Sequence, residues 1–181
     1  MKARRVKGID PQGTLADGAE RVVSTRLDEL AGFWPTVSDP AEVRALHDMR
    51  IAAKRLRYAL EVTHHCFGPY AGQAVKVIKD LQDLLGEIHD CDVQIPDVAG
   101  ILAQRMASDA LAVDAAAAGD DIGPADLQNA PHRAEYAGMT ALLVALQARR
   151  SHLFDNFVEA WRETERKGFR ARLEYAMQER E

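Results

Sequence analysis

The chain has 181 residues, enough to bury one ordinary hydrophobic core without disulfide or metal staples. A composition of 47% hydrophobic and 28% charged residues with only 6% aromatics excludes a disordered chain and favours closely packed helices over a sheet core. The net charge of −5 excludes a polyanion binder that works by overall attraction, so only a local basic patch is left for that class of ligand.

Lys2, Arg4, Arg5 and Lys7 open the chain as a flexible basic arm over residues 1–12, ahead of one helical domain over 13–181. No signal-peptide core precedes Leu15, and no later apolar run approaches the ~20 residues that span a bilayer. Cys66 and Cys91 are too few for a disulfide framework, and a reducing, cytoplasmic setting is expected. Thr14 with Asp17 has the form of a capping box, and Leu15, Ala19, Val22, Val23, Leu27 and Leu30 follow at helical spacing. Ser38-Asp39-Pro40-Ala41-Glu42 supplies a cap, a first-turn proline and an acid for a second helix, which Gly68-Pro69 ends near Phe67. Val75, Val77, Ile78, Leu81, Leu84 and Leu85 mark a third helix from Tyr70, with Gly86 as its end or a kink. Pro96 then resets the chain before a fourth helix over 97–118 and a loop over 119–131. Leu142, Leu143, Leu146, Leu153, Phe154, Phe157, Val158 and Trp161 predict a long helix within 132–167, and a shorter one follows Gly168. The expected fold is an all-α helical bundle of five or six helices with up-and-down packing.

The second helix separates into two faces when drawn at 100° per residue. Leu46, Met49, Ala53, Leu56 and Leu60 share one; His47, Arg50, Lys54 and Arg57 share another, at offsets 0, 3, 7 and 10. That row is about 15 Å long at the helical rise, which suits an extended anion better than a single phosphate. Arg44 and Arg55 flank it, and Asp48 is the only acid from Arg44 through Arg57. Arginine offers a planar fork to phosphate oxygens, lysine a mobile charge, and histidine a proton that a polyanion stabilises. The row is expected to face solvent, whereas a purely structural role would pair its charges with acids of a neighbouring helix. Negative charge is concentrated elsewhere, with five Asp and no Lys or Arg between Met106 and Pro131.

Leu46-His47-Asp48-Met49-Arg50 through Lys54-Arg55-Leu56-Arg57-Tyr58 to Glu61, followed by Leu81-Gln82-Asp83-Leu84-Leu85-Gly86-Glu87-Ile88-His89-Asp90-Cys91-Asp92-Val93, resembles the CHAD family, the conserved histidine α-helical domain. The resemblance implies an all-α fold that binds inorganic polyphosphate on a basic surface, without catalysis or a cofactor. Matched residue by residue, it implies polyphosphate contacts at His47, Arg50, Lys54, Arg55 and Arg57, with Lys76 and Lys79 on the next helix as weaker positions. A scaffold protein that targets polyphosphate granules is a separate reading of the chain. Family members usually carry two copies of the signature, whereas one is present here, which fits either a single-bundle form or a homodimer that rebuilds the pair. His89 stands where the family often has Arg or Asn, so its part in ligand contact is left open. Asp90 and Asp92 are expected to cap a helix or orient Arg and His side chains.

Other motifs point to other chemistry. His47-Asp48 and His89-Asp90, joined by His64, His65, Cys66 and Cys91, would support a metal-dependent phosphohydrolase similar to the HD type if they converged on a divalent ion. No Cys-x-x-Cys or His-Glu-x-x-His spacing accompanies them, and His64-His65 reads better as a helix end meeting terminal carbonyls. Glu163-x-Glu165-x-Lys167 has the Glu-x-Glu-x-Lys spacing of triphosphate-tunnel enzymes, which place it on a strand, but the segment reads as helix. Arg149, Arg150, Arg162, Arg166, Lys167, Arg170 and Arg172 form a looser basic region read as complementing helix ends. Nucleic acid is not the expected partner, because aromatic interleaving, zinc fingers and a recognition helix are lacking; a scaffold role ranks beside it.

Overall fold

A computed structural model describes residues 2–117 and 122–179. Its helices are α1 (Leu15–Ala31), α2 (Trp34–Val37), α3 (Val43–Thr63), α4 (Tyr70–Ala117), α5 (Pro124–Gln128), α6 (Glu135–Arg166) and α7 (Phe169–Gln178), with a 3-10 turn over His64–Cys66. No strand occurs among the described residues. The all-α bundle follows from the apolar periodicities, and no helix among the described residues is long and apolar enough to cross a membrane.

α1 starts where its capping box lies. The Asp17 amide donates to Thr14 Oγ1 at 3.2 Å and the Thr14 amide to Asp17 Oδ2 at 3.1 Å, satisfying two otherwise unpaired donors. The basic residues ahead of it are tied down at Arg4, whose amide donates to Glu29 Oε1 at 2.8 Å and whose carbonyl accepts from Arg26 at 3.0 Å. α3 begins at Val43 rather than at Pro40, because Asp39 Oδ1 takes the Ala41 amide at 2.8 Å and closes a turn in which the proline sits. It ends at Thr63, and the 3-10 turn carries the chain to Phe67.

The predicted break at Pro96 is absent. One helix of 48 residues runs from Tyr70 to Ala117 with Pro96 inside it. An interior proline removes one hydrogen bond and crowds the preceding turn, but here the inward-facing positions Leu85, Ile88, Cys91, Ile95, Val98 and Leu102 keep one helical phase through it. Within the predicted loop, Pro124–Gln128 forms a short helix; the Gly119 to Asp121 part of that loop lies outside the described residues. Gly168, at φ +65°, separates α6 from α7 in the left-handed region that glycine enters without strain.

The chain divides into two compact units, Met1–His89 with His152–Glu181, and Asp90–Ser151. The first is a multi-helix core: Val23, Leu27 and Leu30 of α1, Leu46, Met49, Leu56 and Leu60 of α3, Ile78, Leu81, Leu85 and Ile88 of α4, Phe157 and Trp161 of α6, and Leu173 of α7 are buried together. Trp34 stacks on Trp161 with ring centroids 5.3 Å apart. The Gly68 amide donates to the Ala176 carbonyl at 2.9 Å and fixes the turn before α4 against α7. In the second unit Val113 and Leu146 are buried, and so is Asp109, which is 2% exposed. That carboxylate accepts from Tyr136 Oη and His132 Nδ1, each at 2.6 Å, and from the His132 amide at 3.0 Å, closing the segment before α6 onto α4.

Candidate functional site

α3 displays the basic row because its opposite face is committed to the core. Leu46, Met49, Ala53, Leu56 and Leu60 are all at most 2% exposed, which turns His47, Arg50, Lys54 and Arg57 outward together. The row does not stand free in water as expected. Only Lys54 is exposed; His47, Arg50 and Arg57 are half-buried along the seam with α4. The contacts run in antiparallel register: His47 meets His89, Arg50 lies beside Gly86, and Arg57 Nε donates to Gln82 Oε1 at 3.0 Å. As the number rises on α3 it falls on α4, so the neighbouring helix flanks the row over its length.

The two imidazoles face each other through Nδ1 atoms 3.3 Å apart, with ring centroids separated by 4.5 Å. One ring donates and the other accepts. Burial, followed by the adjacent His89, lowers the pKa of His47 below the ordinary histidine value against the opposing pull of Asp48. One turn along, Arg50 Nε is buried and has no hydrogen-bond partner among the described residues. A Cβ at position 86 would lie 3.6 Å from that nitrogen, an ordinary contact distance, which places the guanidinium against α4 at Gly86. Lys54 Nζ and the Arg57 guanidinium lie 5.6 and 4.7 Å from the centroid of exposed Tyr58, and Arg57 Nη1 also reaches Glu61 at 3.0 Å.

The remaining basic positions divide. Lys79, one turn before Gln82, is exposed and bonded to Asp83 at 2.9 Å; that bond raises its pKa while the Arg57 charge opposes the rise. Lys76 is exposed a further turn away. Arg55 points away from the row: its Nη1 lies 3.3 Å from Glu29 Oε1 of α1. His89, Gln82 and Gly86 are the members that residue-by-residue matching did not assign. Their offsets of 0, 4 and 7 along α4 put them on one helical face, which is the signal that could have found them.

The alternative motifs separate in space. Among the described residues, no group of three or more His, Cys, Asp or Glu side chains comes together as metal ligands would. His64 Nδ1 instead lies 3.1 and 3.2 Å from the Leu60 and Glu61 carbonyls at the end of α3, as its position predicts. Cys91 is buried, which pushes its thiol pKa up. Asp92 pairs with Arg150, in keeping with an orienting role. Glu163 of α6 pairs with Arg166 and, at 3.2 Å, with Lys167 in the turn that follows, so Glu163-x-Glu165-x-Lys167 lies at a helix end and not on a strand. Arg170 is held by Asp28 and Glu174, and the Arg172 guanidinium lies 4.1 Å from the Tyr70 ring centroid. An open cleft beside Trp34, Phe154, Trp161 and Arg162 includes no member of the basic row.

These features define a class: an all-helical bundle that sets a line of cationic side chains along the seam between two antiparallel helices. Residues 3–96 match the model of the CHAD domain, and the chain belongs to that family. The matched half contains both strings of the resemblance, the whole basic row and Arg4 of the N-terminal arm. No curated protein and no solved structure matches the chain.

Proposed function

We propose that this protein is a non-catalytic module that binds inorganic polyphosphate along the α3–α4 seam. The observation that carries the reading is Arg50, a guanidinium with a buried, unpartnered Nε in a line with His47, Lys54 and Arg57. A buried donor left unpaired is costly, and an anion oxygen would satisfy it with a charge-assisted bond. A linear anion places repeated negative charge along the ~15 Å of the row, whereas a single phosphate meets only one end. Lys79, with Lys76 beyond it, extends the cationic path on α4. Arg55 contributes by completing the ion pair that orients α3 rather than by direct contact. CHAD membership supports the reading, and the absence of three converging donors among the described residues counts against the metal-dependent phosphohydrolase. A cytoplasmic module on polyphosphate granules, acting alone or as a homodimer, is the form this proposal takes in the cell.

The test is a low-salt titration with long-chain sodium polyphosphate, pyrophosphate and DNA, alongside an Arg50→Glu/Lys54→Glu/Arg57→Glu variant whose helicity is checked by circular dichroism. Preferential binding of long-chain polyphosphate, reduced at least ~100-fold in the folded variant, is the expected result. Equal affinity of the variant moves the site elsewhere, and phosphate release with stoichiometric metal replaces the module with the hydrolase.

A further inference from the structure

We infer that His47 and His89 act as a single proton acceptor that makes anion capture at this seam proton-coupled, with one proton taken up per site. The inference rests on the polyphosphate reading and adds regulation to it. Its foundation is the facing of the two Nδ1 atoms at 3.3 Å from different helices. In the neutral pair one Nδ1–H donates to the other ring's bare Nδ1, and one outer Nε2 is left without a proton. A first proton goes to that outer Nε2. The facing bond survives, and both outer nitrogens become donors. A second proton would set N–H against N–H across the gap and force the rings apart. The pair therefore accepts one charge with its geometry intact and resists the next.

The surroundings set the direction of the coupling. Asp48 and Arg50 of α3 and His89 of α4 bear on His47; burial and the two basic neighbours lower its pKa, and Asp48 opposes them. An anion laid against Arg50 adds negative charge beside the pair and raises its proton affinity, so by reciprocity a bound proton raises the affinity for the anion. Because the pKa of free His47 is lowered, the coupling extends below the ordinary histidine range. Lysine and arginine side chains keep their charge throughout that interval, so binding through the cations of the row alone would be indifferent to pH there.

Affinity for long-chain polyphosphate, whose internal groups stay ionised, is measured at constant ionic strength between about pH 5 and 8. The expected result is a gain that rises with acidity toward, and not beyond, about tenfold per unit fall in pH, the limit for a single proton. His47→Gln/His89→Gln removes the dependence while Arg50, Lys54 and Arg57 still bind. His89→Gln alone leaves His47 without its facing imidazole and moves the response to higher pH. Nitrogen NMR of the free protein should show one imidazole charging before the other as the solution is acidified. The same pH response in wild type and double variant overturns the inference, as does about a hundredfold gain per unit, which means two protons. Binding that is strong but flat with pH sinks this inference alone; no binding at any pH sinks the function proposed above as well.

Discussion

Arg55 and Arg57 are two residues apart on α3 and serve different partners. A separation of about 200° turns one toward α1 and the other toward α4. Arg55 meets Glu29, which is 2% exposed and also accepts from Arg26 and from the Arg4 amide. Burial raises the Glu29 pKa, but the hydrogen bonds from Arg4 and Arg26 and the charges of Arg26 and Arg55 outweigh it, and the net shift is downward. A carboxylate depressed in the folded state contributes stability above its unfolded pKa, near ~4.3, and loses it as the pH falls through the lower folded value. Glu29→Ala removes the carboxylate that Arg26, Arg55 and the Arg4 amide share and should cost about 2–3 kcal/mol at neutral pH, measured by urea denaturation, with the difference from wild type shrinking in acid. A sequence wheel places Arg55 beside the row; it does not reveal Glu29 as its partner, because that carboxylate arrives from another helix.

Among the elements, α4 departs most from expectation. Pro96 is a local breaker, but the inward-facing phase from Leu85 to Leu102 continues through it and one helix persists. The boundary at Gly168 behaves as its residue type dictates. There the chain takes φ +65°, the Gly168 amide donates to the Glu165 carbonyl at 2.9 Å, and its own carbonyl accepts from the Arg172 amide at 2.9 Å. No neighbouring atom would meet a Cβ at this position, so Gly168→Ala isolates backbone strain. It should destabilise the fold by about 1 kcal/mol in chemical denaturation, with no change in polyphosphate affinity. A loss many times larger would mean that the junction between α6 and α7 carries packing beyond its dihedral angles.

For the whole molecule, a net charge of −5 opposes capture of a polyanion, so the proposed binding has to run through the row locally, by short-range, salt-sensitive contacts. Counterion release from a flexible chain gives a slope in log affinity against log salt of about −0.7 per neutralised phosphate. Removing Arg50, Lys54 and Arg57 should therefore flatten that slope by about 2. The measurement is a salt series on wild type and charge-reversal variant. Equal slopes in the two proteins would show that these three side chains do not neutralise the ligand.

Much of the fold and the raw material of the site were legible in the chain: the capping box at Thr14, the apolar stripe of α3, the helical character of the Glu163 segment and the row His47, Arg50, Lys54, Arg57 all depend on spacing within one helix. The same spacing could not disclose the meeting of His47 with His89, the enclosure of Arg50 Nε or the diversion of Arg55 to Glu29. Periodicity assigns a side chain to a face of its own helix; which helix lies against that face, and which donors remain unpaired there, is decided by packing between segments far apart in the chain.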